Sequence, residues 1–366
     1  MAAAGTARGT AFAARSTPWY DEDALDVLIV SLGSTQGLRR ADEQLRDALA
    51  RAGASVSIAS ARPPASVRTL MLTDLGWARA ARAAATRALS ELPAPPRAIV
   101  YSSTTAALLW PRPGAIRFDA PSAGNRPGRH GLWQRSLEQR RLAHAPLLLP
   151  WSEGGLDELP PAARGGDRAL VLPVAVGPTG MPQERDIAAI TYAANPSKKG
   201  LDRVLAAWRL VCEQLPPGVP RELIVAGITA GQARAAGVAL EEGAGVRAVG
   251  TLPAAEYRAL LRRARVFVCA PRREDYGVAQ LEALADGCLL VSTPAPGPYV
   301  ALALAQKLEP RLVSEDLASA LRLALCDPPR DYAARAQHAL APFRRAAVDR
   351  LVAEELLPRL LGRARG

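Results

Sequence analysis

Val266–Phe267–Val268–Cys269–Ala270–Pro271 leads into Glu274–Asp275–Tyr276–Gly277, then Leu281–Glu282–Ala283–Leu284–Ala285–Asp286–Gly287, then Leu289–Leu290–Val291–Ser292. The first apolar run reads as a buried strand ending at a proline, and the last as the next strand. Between them lie a carboxylate in a loop, a glycine at a helix start and a second carboxylate on that helix. Gly287 closes the helix. A strand–loop–helix–strand unit of this kind puts Glu274 at the carboxyl edge of a parallel sheet, where open α/β sheets bind their ligands.

Glu274 and Glu282 are separated by seven residues. A helical rise of about 1.5 Å per residue puts them roughly 10 Å apart, with unpaired backbone N–H groups between. Two acceptors for sugar hydroxyls on either side of an anion-binding helix start suit a hexose–diphosphate–ribose ligand. The segment resembles the retaining glycosyltransferases of family 4, whose mark is Glu, seven residues, Glu, with a glycine soon after the first and "EA-x-A-x-G" around the second. Glu274, Gly277 and Glu282–Gly287 carry the match. The resemblance implies a GT-B fold, with two Rossmann-like, doubly wound α/β domains facing each other across a cleft. It also implies that Glu274 touches the donor sugar, Glu282 the ribose, and the amides of Val278 and Ala279 the diphosphate.

Lys198–Lys199–Gly200 follows the strand Ile187–Tyr192 and precedes a helix. The family has a Lys-Gly here whose ammonium meets the donor diphosphate, and Lys199 matches it. A leaving diphosphate gains charge as the C1–O bond breaks, so a fixed cation helps most in a dry cleft. The chain departs from the pattern at Ala193, where the family has an arginine. Lys198, Arg272 and Arg273 are the candidates to supply that second charge. Gly33, Ser34 and Gly37 resemble the family's first-domain glycine loop near the phosphates. Asp119 stands near the place of a family histidine at the reacting centre, with His130 a second candidate. Ser152–Glu153–Gly154 resembles a turn on the acceptor side, and Gly227, Gly250 and Leu252 fall where relatives seat the base.

The pattern along the chain agrees with two α/β units. After residues 1–24, expected to be a disordered head, strands are expected at 25–32, 55–59, 98–101, 116–119, 147–150 and 171–176. Gly177–Pro178–Thr179–Gly180–Met181–Pro182 is the linker candidate. Strands are expected again at 187–192, 223–226, 246–249, 266–268, 289–291 and 311–313. The boundaries are thus an acceptor-side domain over 25–182, a nucleotide-sugar domain over 183–340, and a tail over 341–366 that in GT-B proteins crosses back to the first domain.

The formal charge is +11, but the arginines are spread through helices and aromatics make up only 5% of residues, which argues against a nucleic-acid reader. A phosphorylated substrate or peripheral contact with an anionic membrane fits better. Four widely spaced cysteines without Cys-x-x-Cys argue against a zinc site. Asp21–Glu22–Asp23 lies before the first strand and reads as a solvated charge run, so no metal is expected. No apolar segment suggests a leader or a membrane span, and the expected location is the cytoplasm. The reading is therefore a retaining hexosyltransferase using a UDP- or GDP-linked donor, a hydroxyl acceptor and no further cofactor. Ala193 motivates the alternative of a catalytically silent homologue serving as a partner subunit. A dinucleotide oxidoreductase would need G-x-G-x-x-G and an acid after the second strand, where the chain has Ala59–Ser60–Ala61–Arg62.

Overall fold

The computed structural model describes residues 24–65, 69–126, 128–164, 167–181, 183–240 and 245–362, without the side chains of residues 70, 129, 130 and 162. The expected disordered head, the Asp21–Asp23 run, Pro182 and the His130 side chain lie outside the described residues.

Each half of the chain builds one five-stranded sheet with helices on both faces. The first contains β1 (Val27–Ser31), β2 (Val56–Ser60), β3 (Ala98–Tyr101), β4 (Ala115–Phe118) and β5 (Leu148–Pro150), ordered β2-β1-β3-β4-β5. The second contains β6 (Ile187–Tyr192), β7 (Leu223–Ala226), β8 (Val246–Gly250), β9 (Ala264–Cys269) and β10 (Leu289–Ser292), ordered β10-β9-β6-β7-β8. All the pairings are parallel. Strands buried on both faces explain the near-continuous apolar runs. Chain order reverses between β1 and β3 in one sheet and between β6 and β9 in the other. Helices diverge to opposite faces at such a point and leave a crevice beyond the strand ends.

Local signals account for the elements. Thr35 caps the Gln36–Arg51 helix by accepting from the Leu38 N–H. That helix buries Ala41, Leu45, Ala48 and Leu49 against the first sheet, a helical spacing that also buries Asp42. Two expected strands do not form. Val171–Val176 runs extended beside β5, with the Leu172 N–H donating to Pro150 O at 2.8 Å, but Pro173 lacks the N–H that would continue a ladder. Arg311–Val313 is caught by Pro310 into one 3₁₀ turn, leaving a single bridge between Val313 and Ser292.

After Phe343 the tail turns back onto the first sheet. Val348, Val352 and Leu356 join Val27, Ile29, Leu45 and Leu49 in one apolar cluster. Asp349 accepts two hydrogen bonds from the Arg51 guanidinium, at 2.7 and 2.9 Å. No helix among the described residues is long and apolar enough to cross a membrane. Because the Leu356 side chain is fully buried in that cluster, Leu356→Ala should cost about 2–5 kcal/mol. Urea denaturation followed by circular dichroism measures this, and an unchanged midpoint would contradict the packing.

Candidate functional site

The β6–β9 reversal of the second sheet collects the charged groups. Past the end of β6, Asn195 caps the short Pro196–Lys199 turn and presents two lysines side by side. Past the end of β9, the chain runs through Arg272–Arg273–Glu274–Asp275. Lys199 Nζ lies 2.5 Å from Glu274 Oε2, so the crevice is bridged by an ammonium–carboxylate pair whose members are 75 residues apart in sequence. Gln280 Nε2 donates to the same oxygen at 3.3 Å and to Tyr299 Oη at 3.1 Å, fixing the carboxylate's direction. Glu274 is buried. The chain has only three lysines among 46 basic residues, and two of them are these.

The Val278–Ala285 helix starts at Gly277, whose φ of +90° is left-handed. A Cβ there would lie 2.7 Å from the Tyr299 ring, so only glycine fits both the conformation and the space. No side chain caps this helix. The N–H groups of its first turn, including those of partly exposed Val278 and Ala279, are therefore of the kind that can receive an anion. One face further along, Glu282 Oε1 lies 3.5 Å from Arg258 and 3.7 Å from Arg40. Burial raises the Glu282 carboxyl above its ordinary value, and the two guanidiniums offset only part of that. Arg258 also holds Asp286, Nε to Oδ2 at 2.5 Å, and Asp286 in turn receives the Thr179 N–H of the linker.

The first lobe completes the site from across the gap. Asn125 Nδ2 donates to Asp275 Oδ1 at 3.0 Å, while Lys198 Nζ lies 2.9 Å from Asp275 Oδ2. Arg273 joins Asp275 at 2.9 Å and forks onto Glu158 of the first lobe at 2.8 and 2.9 Å. Burial alone would push the Asp275 carboxyl up, but Lys198, Asn125 and Arg273 hold it below its ordinary value. Tyr276 packs edge-on against Trp151, with centroids 5.3 Å apart, and its hydroxyl accepts from the Val174 N–H. Arg117 stacks over the Trp151 ring, 5.0 Å from its centroid, and pairs with buried Asp42. The lobes also touch closely at Gly154, where a Cβ would come 2.9 Å from Pro298.

Of the residues singled out from sequence, Lys199 and Glu274 are brought together as an ion pair, while Gly277, Val278, Ala279 and Glu282 follow on the helix beside them. Lys198 and Arg273 are beside that pair but committed to Asp275. Arg272 points away, forked onto Asp202 at 2.8 and 3.0 Å. Ala193 is fully buried at the end of β6. Gly33 has its carbonyl taken by Arg39 at 2.9 Å, and Ser34 is exposed at the same turn. Gly250 spends its N–H on Ile228 O and its carbonyl on Gly227, so its peptide groups are already engaged. Leu252 packs half-buried on the second core. Asp275, Asn125, Arg40 and Arg258 were not anticipated. Asp275 could have been, as a second acid adjoining Glu274; the other three are polar residues of ordinary loops and helices, with no local signal.

Asp119 sits partly buried beyond β4, its Oδ1 accepting from the Ala120 N–H at 2.8 Å. Burial, reinforced by the negative charge of Asp275 across the gap, pushes its carboxyl up to about 6. An unfolded aspartate titrates near 3.8, so the folded chain keeps a proton that the unfolded chain releases between about pH 4 and 6. Stability contributed by this site therefore falls as pH rises through that window. Asp119→Asn removes the penalty: thermal melts should show the variant gaining several degrees over wild type at pH 7.5 and little or nothing at pH 4. An equal difference at both pH values would contradict the assignment.

Residues 181–339 match the sequence profile of the family described as Glycosyl transferases group 1. No curated protein matches the chain by sequence. Among solved structures, WaaG, a glycosyltransferase involved in lipopolysaccharide biosynthesis, superposes with a TM-score of 0.65 at 16% identity, over 92% of this chain and 100% of its own. Sucrose-phosphate synthase from Thermosynechococcus elongatus gives 0.63 at 16%, over 93% and 100%. Anabaena HepE, solved in complex with UDP and glucose, gives 0.62 at 15%, over 91% and 99%. The chain thus has the two-domain GT-B fold, and its second lobe is similar to the group 1 glycosyl transferases.

Proposed function

We propose that the protein moves a sugar from a nucleotide-diphosphate donor to a hydroxyl acceptor, with retention at the anomeric carbon. The observation that carries this reading is the Lys199–Glu274 pair at the β6–β9 crevice beside the uncapped start of the Val278–Ala285 helix. Without donor the two charges neutralise each other. A sugar nucleotide would separate them, drawing the ammonium to its diphosphate and leaving the carboxylate to the sugar hydroxyls. The Val278 and Ala279 N–H groups would take further phosphate oxygens, and Glu282 the ribose. HepE was solved with UDP and glucose, so a uridine-linked hexose is the first donor to try.

In this reading the acceptor oxygen attacks the face that the phosphate leaves. Its proton passes to the departing phosphate oxygen, and no side chain forms a covalent bond to the sugar. Lys199 stabilises the charge that develops on that oxygen. Asp119 faces the same space from the first lobe and would orient a hydroxyl. The cation missing at Ala193 is supplied by Arg40, which reaches Glu282 from the first lobe and whose charge acts on Tyr192 at the end of β6. Arg272 is excluded from that role by its fork onto Asp202. The diphosphate charge is then met by Lys199, Arg40 and amides, so chelation of divalent ions should leave turnover unchanged. Contacts spanning the lobes exclude water, which would otherwise compete as acceptor. The cytoplasm and the face of an anionic membrane are the settings this reading favours.

One observation supports a second reading, a non-catalytic partner subunit: Ala193 removes the family's arginine while Lys199 and Glu274 satisfy each other. Titration calorimetry with a panel of sugar nucleotides discriminates the two, since a silent subunit would bind none. For the catalytic reading, Glu274→Gln should lower kcat about 10²–10³-fold with little change in donor affinity. Glu282→Gln should instead weaken donor binding by about tenfold. Wild-type turnover in Glu274→Gln would refute the assignment.

A further inference from the structure

A cavity of about 680 Å³ lies where the two lobes, the linker and the tail meet. Its near end reaches Glu282 and Arg40. Its far end reaches Arg51, on the same helix as Arg40 but eleven positions later, which is about 16 Å along the axis. That far end has no part in the proposed sugar transfer, yet its volume falls in the range of small-molecule sites.

Seven arginines line the cavity against two acids, Glu282 and Asp349. Several are neutralised: Arg51 by Asp349, Arg117 by Asp42, Arg258 by Asp286 and Glu282. Arg262, Arg344 and Arg345 are not. Arg262 donates to the Thr179 hydroxyl at 2.8 Å, and its Nε is buried without a partner. Arg344 donates to the Gln337 amide and backbone oxygens, which carry no charge. Arg345 makes no ion pair among the described residues. These groups bracket the linker. Cβ atoms built on Gly177 and Gly180 would lie 3.6 and 3.5 Å from the Arg344 and Arg262 guanidiniums. Three uncompensated guanidiniums lining one cavity favour a ligand with several anionic oxygens, which their forks can grip two at a time.

We infer that this cavity, on the side lined by the linker and the tail, binds a phosphoryl anion, either a soluble phosphorylated metabolite or a lipid headgroup, at the hinge of the molecule. Arg262 belongs to the second lobe, while Arg344 and Arg345 open the tail helix that packs on the first. Binding would therefore favour this arrangement of the lobes over others, by the difference in affinity between them. The inference does not depend on the sugar-transfer reading.

The test uses the full chain and two probes at constant ionic strength: inorganic pyrophosphate by titration calorimetry, and phosphatidylglycerol vesicles by sedimentation. Lys199→Ala takes the cation from the anion site at the helix start, so pyrophosphate binding that persists in this variant and falls when Arg344 and Arg345 are also replaced reports the hinge. Binding should persist there and weaken about tenfold or more in Arg345→Glu and in the Arg344→Gln/Arg345→Gln double variant. Arg345 makes no bond that folding requires, so its variant remains informative if the double variant folds poorly. A lipid source would show instead as vesicle binding lost in the same two variants and displaced by pyrophosphate. Loss of all pyrophosphate binding in Lys199→Ala, with no vesicle binding that depends on Arg344 and Arg345, would overturn the inference. Equal affinity in wild type and both arginine variants would do so as well.

Discussion

The architecture turns on one ammonium and one carboxylate, 2.5 Å apart at the point where the second sheet reverses its strand order. β6 and β9 are neighbours in that sheet, so their carboxyl ends deliver Lys199 and Glu274 to opposite lips of one crevice. The proposed sugar transfer would call for a cation able to change partners as charge moves. A compact ammonium on a flexible stem does this more readily than a planar guanidinium locked into a fork. In a chain that otherwise meets its need for positive charge almost entirely with arginine, lysines at 198 and 199 fit that demand.

The loop that carries Glu274 also fastens the lobes together. Arg273 forks onto Glu158, Asp275 takes the Asn125 amide, and Tyr276 lies against Trp151, so three of the four residues 273–276 reach the first lobe. Behind Trp151, Arg117 and Asp42 form a buried ion pair that braces the ring from inside the first lobe. Opening the cleft would break these contacts together and move the acid relative to Asp119. Lobe closure and assembly of the charged site are thus one event, a coupling common where a reactive centre must be sealed from water.

Much of the second lobe was legible because its signals are local. The apolar runs of β6, β7, β9 and β10 are buried on both faces, and Gly277 with Glu282 marks one helix at fixed spacing. The misreadings also have local causes: within Val171–Val176, Pro173 removes a donor the ladder needs, and Arg311–Val313 is drawn into the 3₁₀ turn that Pro310 opens. Contacts between lobes were the illegible part. Nothing near Arg40 shows that it meets an acid more than two hundred residues away, and Asn125 and Glu158 end short helical turns whose partners only the tertiary fold selects. Asp42 is buried on the Gln36–Arg51 helix, paired with Arg117 and accepting from the Ser31 hydroxyl, and nothing near it in sequence shows this.

A crystal structure with an intact sugar nucleotide bound tests the central claim most directly. The account predicts the diphosphate at the Val278 and Ala279 N–H groups, the Lys199 ammonium moved off Glu274 onto a phosphate oxygen, and the freed carboxylate on the sugar. A bound nucleotide that leaves the Lys199–Glu274 pair closed, with its diphosphate elsewhere, would contradict it.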